Sequence, residues 1–214
     1  MSKESYLTDK RKERLKSVIR KRQFDLTVVL ENIHDAHNIS AIMRSCDAAG
    51  VHEIYAIVTD PRIDLEKYSM HNKITSGSGK WVEMNVFTDV EECIRALRPK
   101  YGLIFGTHLS SSSESLYVKN LSESVALVFG NEHAGISEDL LSHLDGNFII
   151  PQYGMVQSLN ISVACAVTLY EALRQREKEG KYEHSDWSDD HANLYKRYVK
   201  NSKTKLNPDI PRET

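Results

Sequence analysis

Six short apolar runs, separated by stretches with helical spacing, constrain this chain more than any other feature of it. They span 27–33, 52–59, 81–87, 101–109, 124–129 and 148–150. Each is short and rich in Val, Ile, Leu and Phe, as strands buried on both faces read. Between them, residues 38–49 place Ile39, Ile42, Met43 and Cys46 at helical spacing, with Gly50 as a stop. Residues 89–97 form a second helix that ends before Pro99, and Ser137 caps a third over 137–144. A long helix follows over 159–178, with Ser158 and Asn160 at its mouth. Strand and helix in alternation predict an α/β fold, a mostly parallel sheet with helices on both faces. In such a sheet ligands bind at the carboxyl ends of the strands, so residues just after each strand are the candidates for chemistry.

Composition divides the chain of 214 residues into three parts: a basic helical extension over 1–23, the α/β domain over 24–179, and an extension over 180–214 with a basic helix and a frayed tail. Residues 1–22 carry nine Lys or Arg against three acids, a net of +6, which leaves −8 for the remainder of a chain whose total is −2. Lys196, Arg197, Lys200, Lys203 and Lys205 form a second basic cluster with no acid among them. Two basic ends on an acidic middle suggest a polyanion gripped by the extensions while the middle does chemistry. The other reading of each end is a solvated helix face. Cys46, Cys93 and Cys165 are widely spaced, without a C-x-x-C pair, which points to buried free thiols in a reducing cytoplasm. No run of about 18 apolar residues exists, so no membrane span is expected.

Several familiar chemistries fail on spacing. Gly77-Ser78-Gly79-Lys80 looks like a phosphate loop, but that pattern requires a glycine where Ile74 stands. No G-x-G-x-x-G follows the first strand, and no serine sits in a G-x-S-x-G elbow. His34 and His37 are three apart without further ligands at suitable spacing, so no metal is expected.

Three polar clusters remain, each at a strand's carboxyl end. The first runs from Asn32 to Arg44. Asn38 at the helix mouth and Arg44 under two turns later could reach one anionic ligand, for which the guanidinium offers a planar fork. Their ordinary roles would be an N-cap and a surface ion pair. The second, Phe129-Gly130-Asn131-Glu132-His133-Ala134-Gly135, places two glycines around an acid in a tight loop, so backbone can approach a ligand closely. The third runs from Ile150-Pro151 through Gly154 to Gln157-Ser158-Leu159-Asn160-Ile161-Ser162. It carries more polarity than a capped helix after a strand requires.

In this order, the three clusters resemble the motifs of the SpoU/TrmH-type ribose 2′-O-methyltransferases of the SPOUT class. The matching residues are Asn38-x5-Arg44, Phe129-Gly130-x-Glu132-x-x-Gly135, and Ile150-Pro151 with Ser158-Leu159-Asn160-x-Ser162. Thr75-Ser76-Gly77 and Lys80-Trp81 resemble the family's intervening segment, and the likeness covers about residues 24–178. The resemblance implies a sheet whose carboxyl end is tied in a trefoil knot. It also implies a homodimer with a site shared across the interface, and S-adenosylmethionine as methyl donor. The cofactor would meet Thr107, Leu109, Gly130, Ile150, Ser158 and Leu159. Arg44, Asn38, Glu132, Asn160 and Ser158 would be catalytic. The short basic extensions resemble the tRNA guanosine-18 branch, with Lys10, Arg11, Arg14, Arg20, His37, Lys80, Arg174 and Arg176 expected to face RNA. Ribosomal RNA, another tRNA ribose, or an inactive RNA-binding protein are the other readings. Asp35-Ala36 departs from the basic-Pro pair common before His37.

Overall fold

The computed structural model describes residues 7–65, 68, 80–110, 113–156, 158–183 and 186–202. Among these, seven strands form one sheet, and every pairing in it is parallel. The strands are β1 (Leu26–Glu31), β2 (Glu53–Ile57), β3 (Glu83–Phe87), β4 (Leu103–Thr107), β5 (Glu114–Ser115), β6 (Val125–Phe129) and β7 (Gly146–Ile149). Their spatial order is β3-β2-β1-β6-β4-β7-β5. The α/β architecture expected from the alternation is therefore present. Every residue of β1, β2 and β6 is buried, which is why these runs are apolar on both faces. Thr27 and Glu31 are the polar residues of β1, and the Thr27 hydroxyl is satisfied by donating to Glu53 O at 2.8 Å.

Two helices cover one face: α2 (Ala36–Ala48) and α5 (Ile161–Lys178), which supply Ile39, Ile42, Met43, Cys46, Cys165, Leu169 and Ala172 to the core. On the other face, α3 (Val90–Leu97) and the short α4 (Glu138–Leu141) bury Val90, Cys93, Ile94, Leu97 and Leu140. All three cysteines are buried free thiols, and burial pushes the Cys93 thiol up to about 12. The terminal helices α1 (Asp9–Ile19) and α6 (Asp189–Ser202) pack on each other through Leu15, Ile19, Leu194, Tyr198 and Val199. The two basic helices thus meet in space, with Trp81 against them.

Four local expectations need correction. Helix α2 begins two residues earlier than its apolar spacing suggested, because Asp35 takes the extended cap conformation and accepts from His37 N at 2.8 Å. Asn38 is therefore in the first turn and not at the cap. Strand β5, two residues long at the sheet edge, carries no apolar run and was not expected. Helix α4 is four residues, because the chain tightens into turns after Leu141. Arg176, expected to face RNA, is fully buried. Its guanidinium donates to Leu121 O and Gln23 Oε1, both at 3.0 Å, and is paired with Asp25. It staples α5 to two loops and has no surface to offer a polyanion. The frayed tail falls outside the described residues after Ser202.

Strand β7 lies between β4 and β5, yet β4 and β5 are joined directly by residues 108–113. That connection must cross β7. Both its ends meet β7 at one level, since Thr107 and Glu114 each pair with Phe148. His108 N donates to Phe148 O at 3.3 Å and Asn147 Nδ2 to Ser110 Oγ at 3.1 Å, pinning the crossing to the strand beneath. Here the crossing sits at the carboxyl end, beside the loop that leaves β7.

Candidate active site

The three polar clusters converge at the carboxyl ends of β1, β6 and β7. Asn160 caps α5 with its side-chain oxygen, which accepts from Ser162 N at 2.9 Å and Ser162 Oγ at 2.6 Å. Its amide nitrogen remains, and donates to Asn38 Oδ1 at 3.1 Å. Asn38 Nδ2 donates in turn to Glu132 Oε1 at 2.8 Å. Each asparagine is thus used at both ends, and a carboxylate terminates the chain as acceptor.

The loop holding Glu132 is a closed hairpin. Asn131 N and Gly135 O are 2.9 Å apart, as are Gly135 N and Asn131 O, and Gly135 has φ +72°. A Cβ on Gly130 would stand 2.3 Å from the backbone of Gly135. The glycine is thus required by the loop's own closure. Behind it, buried Glu31 accepts from Ser137 N at 2.8 Å and Ser137 Oγ at 2.5 Å, fixing the loop's exit.

Two asparagines that the motif reading passed over hold these loops together. Asn32 adopts φ +52° and accepts from Thr59 N at 2.8 Å and Asp60 N at 2.9 Å. Asn131 Nδ2 donates to Asn32 O at 2.8 Å, and the Asn131 side-chain oxygen accepts from His133 N at 2.9 Å. Asparagine tolerates the left-handed region better than most residues, and that was the available signal at Asn32. Beyond it, Asp60 pairs with Arg62 at 2.6 Å and with His34 Nε2 at 2.9 Å. The Arg62 side chain and backbone amide hold the Asp60 carboxyl well below the usual range. A cavity of about 490 Å³ opens here, with Asn38 and Glu132 in its wall.

The residues expected to meet S-adenosylmethionine end three adjacent strands. Thr107 closes β4, Gly130 follows β6 and Ile150 follows β7, so their backbones stand side by side. Leu109 is 81% exposed, and Tyr153 and Met155 are 99% exposed. Uncovered apolar side chains beside strand-end backbone suit a ligand with a flat base and an aliphatic arm, so the residues present fit this group. Ser158 is exposed and Leu159 half-buried at the mouth of α5. Gln157 and Thr75–Gly77 lie outside the described residues.

Arg44 is exposed on α2 and makes no ion pair or hydrogen bond among the described residues. Six residues turn an α-helix by about 240°, so Arg44 and Asn38 face different ways within one chain. Lys10, Arg11 and Arg14 are exposed on α1 and Arg20 at its C-cap, with Arg11 5.5 Å over the Trp81 ring and Arg20 5.6 Å over Trp187. His37 is exposed beside Asn38, and Lys80 is half-buried, with its carbonyl accepting from Asn201 at 2.8 Å. Arg174 grips Glu171 through both prongs of its fork, at 2.9 and 2.7 Å, yet keeps 64% of its side chain exposed. Among the described residues no cluster of His, Cys, Asp or Glu could hold a metal ion, and no helix is long and apolar enough to cross a membrane.

The chain is similar to known proteins in sequence and in fold. The SpoU rRNA methylase family pattern matches residues 25–170. A tRNA (guanosine(18)-2′-O)-methyltransferase of Thermus thermophilus is 43% identical over 176 residues, covering 82% of this chain and 88% of that protein. The corresponding protein of Escherichia coli K12 is 37% identical, covering 79% of this chain and 72% of its own length. Among solved structures, the Aquifex aeolicus TrmH/SpoU tRNA modifying enzyme superposes with a TM-score of 0.78 at 35% identity, over 92% of this chain and 98% of that one. The SpoU methyltransferase AviRb of Streptomyces viridochromogenes, solved with S-adenosylmethionine, gives 0.63 at 25% identity, over 73% of this chain and 59% of that one. From motif order, fold and these likenesses together, this chain belongs to the SpoU methylase family.

Proposed function

We propose that this protein is an S-adenosylmethionine-dependent RNA ribose 2′-O-methyltransferase that methylates guanosine 18 in the D-loop of tRNA. The observation that carries the reading is the hydrogen-bonded chain Glu132–Asn38–Asn160, which joins all three motifs at one point of the sheet. The names of the relatives similar over most of the chain support the tRNA target.

When bound, S-adenosylmethionine supplies a methyl group on a positively charged sulfur. The protein's task is to place a ribose 2′-oxygen in line with it and manage that oxygen's proton. Orientation of this kind contributes on the order of 7–11 kcal/mol in well-aligned cases. Asn38 and Asn160 fix the reacting edge, and Glu132 holds Asn38 in register. Ser158 lies at the same helix mouth. Arg44 acts as a clamp on the phosphate beside the ribose and stabilises charge developing on the oxygen. A guanidinium is effectively always protonated, which makes it a poor general base. The exposed cations of α1 and α6 grip the tRNA backbone. The protein works in the cytoplasm as a homodimer. The second copy covers exposed Val163 and Tyr170, which stand seven residues apart on α5, and completes the site that one chain leaves open at Arg44.

The test is incubation with methyl-labelled S-adenosylmethionine and unmodified tRNA or ribosomal RNA. Label in the tRNA ribose is expected. Label in ribosomal RNA alone would move the substrate, and label in neither would leave an RNA-binding protein of the same fold.

A further inference from the structure

The cavity beside the catalytic cluster has no part in the mechanism above. It measures about 490 Å³, within the range of sites that hold small ligands, and shares Asn38 and Glu132 with the cluster. Its wall also carries His34, Asp35, Arg62 and His133. A ligand lying here touches the same two residues that place the reacting ribose, so it is the next part of the same nucleotide.

The charges decide which part. Arg62 is already paired through Nε and Nη2 with Asp60. The wall carries two carboxylates, Asp35 and Glu132, against this one guanidinium, whose charge Asp60 already offsets. A phosphodiester would be repelled. A neutral base with donors on one edge and acceptors on another fits. Asp35 uses one oxygen to accept from His37 N, which leaves the other for a ligand. Arg62 Nη1 has no acceptor among the described residues, and the side chain is 80% exposed while anchored at its root. Asp60 itself is held by Asn32, so the anchor is tied to the frame of the site.

Resting on the reading of a ribose methyltransferase, we propose that this cavity seats the base of the methylated nucleotide. That base is a guanine, read by Arg62 on its O6/N7 edge and by Asp35 on its N1/N2 edge. Arginine facing O6 and N7 is the commonest specific contact to guanine. Unpaired RNA exposes both its Watson–Crick and Hoogsteen edges to such reading. Asp35 stands where the family carries a basic-Pro pair, so this chain reads the N2 edge with a residue of its own.

The test uses three tRNA transcripts that differ only at the target base: guanosine, inosine (no 2-amino group) and 7-deazaguanosine (no N7). Each is methylated by wild type, Asp35→Asn and Arg62→Gln, and kcat/KM ratios are compared. Wild type is expected to prefer guanosine over each analogue by about tenfold. Asp35→Asn should bring the inosine ratio to within about twofold and leave the 7-deaza ratio unchanged, and Arg62→Gln should do the reverse. Asparagine still caps α2 and Arg62 is exposed, so both variants should keep the wild-type melting temperature. Arg62→Lys, which keeps charge without the fork, should behave as Arg62→Gln. Wild-type ratios near one, or ratios that neither variant moves, overturn the proposal. If the protein binds the transcripts without methylating them, the same ratios are read from dissociation constants. The base seat then stands or falls on them while the methyltransfer reading fails. No RNA binding overturns both.

Discussion

Asn160 Nδ2 donates to Asn38 Oδ1 at 3.1 Å, joining two side chains 122 positions apart in sequence. The bond ties the mouth of α5 to the first turn of α2, the two helices on one face of the sheet. It works because Asp35, and not Asn38, caps α2. Two extra residues at the helix start free the Asn38 amide to serve Asn160 and Glu132 together.

Asn38→Ala should therefore damage chemistry more than cofactor binding. Turnover is expected to fall on the order of 100-fold, as misplacement by about an ångström can do, with S-adenosylmethionine affinity within threefold of wild type. Steady-state kinetics and equilibrium binding separate the two. Weakened binding with intact turnover would remove Asn38 from the reacting edge.

Arg44→Lys keeps the charge and loses the planar fork. A clamp on a phosphate requires that fork, so turnover should drop roughly 100-fold while the protein stays folded. Near-normal turnover in a single-turnover assay would show that the fork plays no part.

Gly130→Ala tests the loop. Its Cβ would stand 2.3 Å from Gly135 backbone, which cannot step aside without opening the hairpin. A loss of about 2 kcal/mol is expected in denaturant unfolding, with Glu132 displaced and activity lost. Unchanged stability would mean that the loop closes in another way.

Arg176→Met should act on stability and leave the RNA grip alone. Several buried or half-buried acceptors lose their donor, at a cost of about 3 kcal/mol. The slope of log affinity for tRNA against log salt should match wild type, because no phosphate contact is lost. Arg14→Gln, on the exposed side of α1, should leave stability alone and flatten that slope by about one.

His52 gives the structure an acid limit. Burial, with Arg197, Arg22 and Lys100 nearby, pushes its pKa down to about 4 from the ordinary 6.5, and Glu53 opposes this. A histidine depressed in the folded state favours the unfolded chain once that chain takes up a proton. Its stabilisation is thus complete above about pH 6.5 and is lost as pH falls from there towards 4, by up to about 3 kcal/mol. Urea midpoints of wild type and His52→Asn across this window should converge as pH drops. Parallel curves would exclude His52 as the cause.

The strand runs, the helix cap at Asn160, the buried cysteines and the three polar clusters were all legible in the sequence, because local spacing and side-chain chemistry set them. What sequence missed depends on distant partners. Arg176 looked like one more cation on a basic helix end. Its burial follows from acceptors at Gln23, Asp25 and Leu121, some 150 and 55 residues away. The pairing of α1 with α6 is of the same kind. So is the Asp60–Arg62 anchor, which becomes part of a site only because Asn32 brings the end of β2 to that of β1. Strand β5 escaped notice because a two-residue edge strand has no periodicity to read.

Alkaline hydrolysis reads methyl transfer to one ribose oxygen without a label. A 2′-O-methyl group removes the hydroxyl that attacks the neighbouring phosphodiester, so the hydrolysis ladder of treated tRNA loses one band. A single gap at guanosine 18 is expected, dependent on S-adenosylmethionine and formed about 100-fold more slowly by Asn38→Ala. Methyl label in the tRNA with an unbroken ladder would place the group on a base and contradict it.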